Sequence, residues 1–498
     1  MAFTAAQEAT LIQVADAFTR GKKINELSKS TGAIESYTVE VQDHTGESKN
    51  VNLLQAINLV NKRIACRRWN ETLSTPVGEA YGNIDFLRDL PSVLGLGCYL
   101  VTDDRVRRKL DPTNHYKFQD GSPAKLDGTD GQYMWCWNKH YYASWKEGNY
   151  LYEAVSTEPI EGKECYCIPE GGTAAIGGGV VDRTNLKLCS IINEAAQYRG
   201  GGNQTDWDGT YRSQLGKVAT SITYRNYSTY ARKRGEGWDA NWYVAEAVPE
   251  YLFRIIFGTR HIQTAVNAEK DANGLYQGGL GAGVTNMPDW NGYNGYYPVV
   301  PCSAGVELGD GCGEATYNIM NADGTVRYAA KIPVFFGLKN LYGHTYRIVR
   351  GIIINAGAEK TEGYVAPSLY ASYNDGSLDG MIKACELPRS EGYIKRVSMN
   401  KLAMLPTEVG ASASTYFADY FYTNAASSQG FRCRLAGSHA NAGTIAGASY
   451  TYSINAVTDA TAGTCAGASY ANSHSAVTSA NADVSAPLCY FKEDPVIN

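Results

Sequence analysis

Twelve cysteines and seven histidines are the side chains in this sequence best suited to nucleophilic or metal chemistry. Such chemistry needs defined spacings: the C-x-x-C pattern, with two residues between the cysteines, for zinc or redox work, or a nucleophile within reach of a histidine base. Cys66, Cys98, Cys136, Cys165, Cys167, Cys189, Cys302, Cys312, Cys385, Cys433, Cys465 and Cys489 show neither pattern, so most read as small buried hydrophobes. His44, His115, His140, His261, His344, His439 and His474 are equally dispersed, none with a Cys or Asp at a nucleophile-like local spacing. HExxH, GxSxG and P-loop motifs are absent. The runs GGTAAIGGGVV and GGLGAGV do not match a dinucleotide-binding fingerprint, which makes their glycines structural. The sequence therefore points away from an enzyme, and no cofactor and no metal are expected. Cys302 and Cys312 flank a glycine-rich loop and are placed to pair in an oxidising environment, but without an export signal the free thiols are favoured.

Aromatic and cationic side chains offer binding chemistry instead. QYMWCWNKHYYASW, residues 132–145, alternates bulky residues, so Tyr133, Trp135 and Trp137 share one face of a strand. Aromatic faces stack on sugar rings, yet a packed sheet face is the simpler expectation. Arg432 and Arg434 alternate with Phe431, Cys433 and Leu435. As a strand this segment puts both arginines on one face, where a structural salt bridge is favoured over a ligand contact.

The chain of 498 residues, 44% hydrophobic and 11% aromatic, can bury sizeable cores in two to four domains. Its 45 Lys and Arg nearly balance 50 Asp and Glu, so no broad field draws it to nucleic acid or anionic lipid. MAFTAAQEATLIQVADAFTR lacks the basic start and continuous apolar core of a signal peptide. No run approaches the roughly 18 apolar residues of a membrane span, so neither export nor membrane insertion is expected.

Leu11, Val14, Ala15 and Phe18 predict a short amphipathic helix. The alternating YTVEV at 37–41, the DHTGES turn and a second helical run over Leu53, Ile57, Val60 and Ile64 complete a small unit ending near residue 65. That unit is thin for an independent core and suits an anchoring arm through Leu11, Val14 and Phe18. From Trp69 onward, 36 tyrosines and 52 glycines accompany a pattern of short strands and frequent turns. Residues 111–132, dense in turn formers, predict an exposed multi-turn loop.

AGTIAGASYTYSINAVTDAT, residues 442–461, is followed at once by AGTCAGASYANSHSAVTSAN, residues 462–481. The two copies share thirteen residues, mostly Ala, Gly, Ser, Thr and Tyr, whose small size suits tight turns and close packing. They differ at seven places: Ile445/Cys465, Thr451/Ala471, Tyr452/Asn472, Ile454/His474, Asn455/Ser475, Asp459/Ser479 and Thr461/Asn481. Fixed small residues read as scaffold and changed ones as adaptable contacts of the kind paratopes use. Every residue at a differing position is one that randomising the adenines of an AAC codon can produce. Lys, Glu, Gln, Met and Trp are missing from Gly430 to Phe491. Both features fit diversification by a retroelement, and they also fit a drifted tandem duplication.

Four segments in order carry a family resemblance: VLGLGCYLVTDDRVRRKLDP with DGSPAKLDGTDGQYMW, then TYRNYSTYARKRGEGWDANWYVAEAVPEYLFRIIFGTRHIQ, then PVFFGLKNLYGHTYRIVRGIII, and finally STYFADYFYTNAASSQGFRCRLAGS. Together they resemble phage fibre and receptor-binding proteins with a C-type-lectin-like domain. That domain is related to the formylglycine-generating enzyme and the phage major tropism determinants. The layout is most similar to head or tail fibres of crAss-like Bacteroides phages. YARKRGEGW resembles a helix start of such domains. FGLKNLYGHTYRIVRG resembles their GxENxxGNxWxWxxG consensus, with Lys339, His344, Tyr346 and Ile348 departing from it. No cysteine aligns with the enzyme's reactive pair, and the calcium-binding triplets of sugar-binding lectins are missing.

The resemblance implies an α+β fold. A small helical and hairpin virion-anchoring unit occupies 1–65, a β-rich connecting region 66–180, and a C-type-lectin-like domain with short strands and long loops 181–498, bearing the repeat at 442–481. It implies a virion protein assembled in the host cytoplasm. Its expected partners are further copies of itself, most simply in a trimer, capsid or tail proteins, and a host cell-surface glycan or protein. The candidate contact surface is Ile445, Thr451, Tyr452, Ile454, Asn455, Asp459, Cys465, Ala471, Asn472, His474, Ser475, Ser479 and Asn481.

Overall fold

The structure is a computed structural model that describes residues 38–42, 48–52, 64–176, 178–182, 184–192, 224–269, 305–320, 325–339, 341, 346–371, 377–421, 423, 425–426, 429–437, 454–456 and 484–497. Leu11, Val14, Phe18 and Cys302 lie outside them. The fold is sheet-rich α+β, built from several antiparallel sheets and a few helices. The strand expected at 37–41 is present as Thr38–Gln42, which pairs with Ser48–Asn52.

Tyr243–Phe257 is the longest helix among the described residues, and every residue from Tyr243 to Ile255 is buried. A helix apolar on nearly all sides has to be enclosed. It ends where Gly258 adopts φ 67°, a left-handed position that favours glycine. Glu246, Glu250 and Arg254 repeat every four residues and so form one polar stripe along an apolar rod. Each finds its partner on a strand. Arg347 of Tyr346–Ala356 reaches Glu246 at 2.5 Å, Arg434 of Gly430–Gly437 reaches Glu250 at 3.3 Å, and Glu153 of Tyr150–Ser156 takes Arg254 at 2.8 Å. The stripe thus ties the helix to strands of two different sheets.

A five-stranded sheet runs in the order Tyr166–Ile168, His140–Glu147, Tyr150–Ser156, Ile64–Asn70 and Glu79–Gly82. Ile64 opens a strand here rather than closing a helical run. Ile64, Ala65 and Cys66 are buried between strands on both sides, which apolar spacing alone does not distinguish from a helix face.

A seven-stranded sheet runs Trp238–Ala240, Leu488–Phe491, Gly171–Ala174, Gln132–Trp137, Gly97–Val101, Arg107–Asp111 and Asn114–Phe118. Strands from both sides of residue 180 lie next to one another in it. The boundary drawn at 180/181 therefore cuts a single core: Trp137 packs on Phe491 at 6.2 Å and Trp135 on Phe335 at 5.9 Å. Tyr133, Trp135 and Trp137 are fully buried, and so are Met134 and Cys136 between them, which removes them from any sugar-stacking role. Gly172 lies so close to the neighbouring strands that an added Cβ would stand 2.9 Å from Cys136 Sγ. That supports a structural role for this glycine.

Residues 111–132 depart from the expected exposed loop. Asn114–Phe118 forms the sheet's edge strand, and His115, Phe118, Ala124 and Leu126 are buried. The turn chemistry is nonetheless present: Asp111, Asp120 and Asp127 each accept the amide two residues ahead at 2.8–2.9 Å. YARKRGEGW likewise ends the helix Tyr224–Arg232 rather than starting one.

His140 is fully buried. Its Nδ1–H donates to the Asn138 carbonyl at 2.7 Å, and Nε2 accepts from Tyr251 OH, so the neutral ring is satisfied. Burial pushes its pKa down to about 4 from 6.5, against the pull of the Asn138 carbonyl. The unfolded chain therefore takes up a proton below pH 6.5 that the folded one refuses until about pH 4. His140 contributes its full stabilisation above pH 6.5, and it is lost on acidification across that window, on the order of 3 kcal/mol. His140→Gln is expected to flatten this part of the stability profile, measured as urea midpoints from pH 7 to 4.

Candidate functional site

A third sheet runs Ile382–Leu387, Thr361–Val365, Tyr346–Ala356, Gly430–Gly437 and Ile454–Ala456. Tyr346–Ala356 is its spine: Ile348, Val349, Ile352, Ile353 and Ile354 are all buried. Gly351 sits at φ 80° where the pairing with Gly430–Gly437 shifts register. A Cβ there would come within 2.7 Å of the Tyr243 ring, so the glycine lets the bulged strand close onto the start of the long helix.

The N-terminal end of this spine holds both ends of the repeat-bearing segment. Tyr346 pairs antiparallel with Gly437 on one side and in parallel with Val484 on the other. Everything between those partners, residues 438–483, leaves from one flank of Tyr346 and returns to the opposite flank. Both stems run into the core: Leu435 and Ala436 precede the departure, and Ala486 and Leu488 follow the return, all buried.

Of the candidate contact residues, Ile454 and Asn455 lie in the strand Ile454–Ala456, opposite Cys433 and Arg432. The first repeat copy thus contributes the sheet's edge strand. Ile445, Thr451, Tyr452, Asp459, Cys465, Ala471, Asn472, His474, Ser475, Ser479 and Asn481 lie outside the described residues.

Arg432 and Arg434 are almost wholly buried, which suits structure rather than ligand contact. Arg434 donates to Glu250 and, at 3.1 Å, to the Ala403 carbonyl. Burial lowers the Arg432 pKa. Lys339, one of the departures from the family consensus, is a fully buried cation, and Ile348 is core. Cys312 is exposed, whereas Cys66, Cys98, Cys136, Cys189, Cys433 and Cys489 are buried as their scatter suggested. Burial raises the thiol pKa of Cys66, Cys98 and Cys489, the opposite of what a nucleophile needs.

The stem of the repeat escaped sequence reasoning because its geometry rests on two pairings of one residue, Tyr346, with partners roughly a hundred positions away. The signal that did exist was the apolar run at 484–491 immediately after the repeat. No protein-family model matches this chain, and no curated protein sequence is similar to it.

Proposed function

We propose that this chain is an oligomeric virion fibre or decoration protein of a bacteriophage. In this reading a C-type-lectin-like domain presents residues 438–483 to a host-surface glycan or protein, and the N-terminal segment docks to capsid or tail proteins. The observation that carries the proposal is the anchorage of that segment on both flanks of Tyr346. A scaffold that holds both ends of a segment rigidly tolerates change within it, and the repeat copies differ while their small residues stay fixed. Short strands, long connections and the seating of Leu488–Phe491 between Trp238–Ala240 and Gly171–Ala174 support the lectin-like layout.

Attachment of this kind works through many weak contacts, because linked copies turn low single-site affinity into avidity. Purified protein clustered on beads is expected to capture host surface polysaccharide, with binding falling at least about a hundredfold when the copies are separated. Absence of capture at high surface density would leave a decoration protein without a ligand.

A further inference from the structure

Cys98, His115 and Asp310 come from the strand Gly97–Val101, the edge strand Asn114–Phe118 and the turn after Val306–Leu308. Their donor atoms lie within 4.8 Å of one another. His115 Nε2 stands 3.0 Å from Asp310 Oδ1, which also accepts the Cys98 amide at 2.8 Å. His115 Nδ1 is 2.7 Å from Tyr133 OH, and Lys339 Nζ donates to the same phenol. Cys98 and His115 are fully buried and the Asp310 side chain is 9% exposed. Asp310 Oδ2 is a buried oxygen with no hydrogen-bond partner, a costly vacancy for a carboxylate. Gly97 and Gly337 keep the space clear: a Cβ on Gly337 would stand 2.7 Å from Cys98 Sγ, and one on Gly97 would strike Asp310.

We propose that Cys98, His115 and Asp310 form a three-ligand site, its fourth position open, for a borderline divalent transition metal of the zinc type. One thiolate, one imidazole and one carboxylate suit Zn²⁺ and ill suit Ca²⁺ or Mg²⁺, which take oxygen ligands. Tetrahedral zinc with bonds of 2.0–2.3 Å separates its ligands by about 3.3–3.6 Å. The widest donor separation, up to 4.8 Å, therefore needs to close by up to about 1.5 Å, and the His115–Asp310 pair at 3.0 Å to open slightly. Loading removes the Cys98 thiol proton to solvent, while the imidazole keeps one proton, moved from Nε2 to Nδ1 where the Tyr133 oxygen accepts it. Tyr133 is thus the outer partner that orients the metal-binding imidazole. Burial holds the Cys98 thiol pKa up, and the Lys339 ammonium only partly offsets this while repelling the cation, so binding is weaker than at an all-thiolate site. The metal would staple three segments already linked by the bonds of Asp310 to His115 and to the Cys98 amide.

The test uses the full chain, reduced, stripped with a chelator and titrated with Co²⁺. The expected result is one equivalent bound, with a thiolate-to-cobalt charge-transfer band that Zn²⁺ displaces. Cys98→Ser is expected to abolish the band. Tyr133→Phe is expected to keep it while weakening affinity by about 10- to 100-fold, and Cys312→Ser is expected to change nothing. The proposal is overturned if the wild-type chain takes up no stoichiometric metal. It is overturned equally if the band survives in a folded Cys98→Ser variant or, should that variant not fold, if Asp310→Asn binds cobalt as tightly as the wild type.

Discussion

Glu250→Leu is expected to destabilise the protein by about 3–5 kcal/mol, the cost of stranding buried charge. Glu250 receives Arg254 Nη1 at 3.2 Å on one oxygen and Arg434 Nη2 at 3.3 Å on the other, and all three side chains are at most 1% exposed. Arg254 keeps Glu153, to which it donates through Nη2 at 2.8 Å and Nε at 3.1 Å. Arg434 keeps the Ala403 carbonyl and the more distant attraction of Glu246, but its buried charge loses the carboxylate it contacts.

Burying an ion pair gains little over an apolar pair, whereas breaking one is expensive, so the penalty comes from the buried positive charge left in excess. Adding Arg434→Met is accordingly expected to recover a large part of the loss, a non-additivity that contacting residues show and distant ones do not. Asp85→Ala serves as the contrast. Its pair with Arg88 at 2.8 Å lies at the surface, with both side chains more than two-thirds exposed, and its removal is expected to leave the urea midpoint nearly unchanged. Urea midpoints of the three variants test the ordering, and equal effects for Glu250→Leu and Asp85→Ala would remove the clamp from the account of this fold.

The same helix stripe marks how far the sequence could be read. Local chemistry was legible: Asp111, Asp120 and Asp127 bend the chain through their own side chains, and the repeat announces itself by identity of small residues. What depended on distant partners was not. The period-two pattern at 132–137 shows which residues share a face, but a strand with neighbours on both edges and packing on both faces buries Met134 and Cys136 as fully as Trp135. Ile64 fits a helical spacing and a strand equally well, and sheet pairing decided between them. Glu250 and Arg434 are 184 residues apart and His115 and Asp310 are 195 apart, so no motif spacing could expose either pairing. The lectin-like expectation came from four ordered segments, and the α+β sheet-rich fold is the part of it visible in the backbone.

Replacing residues 438–483 with a six-residue Gly/Ser linker is expected to leave the protein folded and, under the proposed attachment function, to abolish capture of host surface polysaccharide. Gly437 and Val484 pair with opposite flanks of Tyr346, which places the two stems about 10 Å apart, two strand spacings. Six residues span up to about 20 Å, enough to round the end of the strand. Shortening the loop lowers the entropy cost of closing it by about 2 kcal/mol. This offsets the loss of the three edge pairs made by Ile454–Ala456. The thermal midpoint is therefore expected to move by only a few degrees, while binding at high surface density falls to background. Retained binding in a folded deletion variant would move the contact surface elsewhere on the protein. If the deletion instead prevents folding, exchange of the seven differing residues of the first copy for those of the second provides the separate test. A scaffold built to tolerate those positions predicts unchanged stability with altered ligand preference, and a repeat that is packing material predicts the reverse.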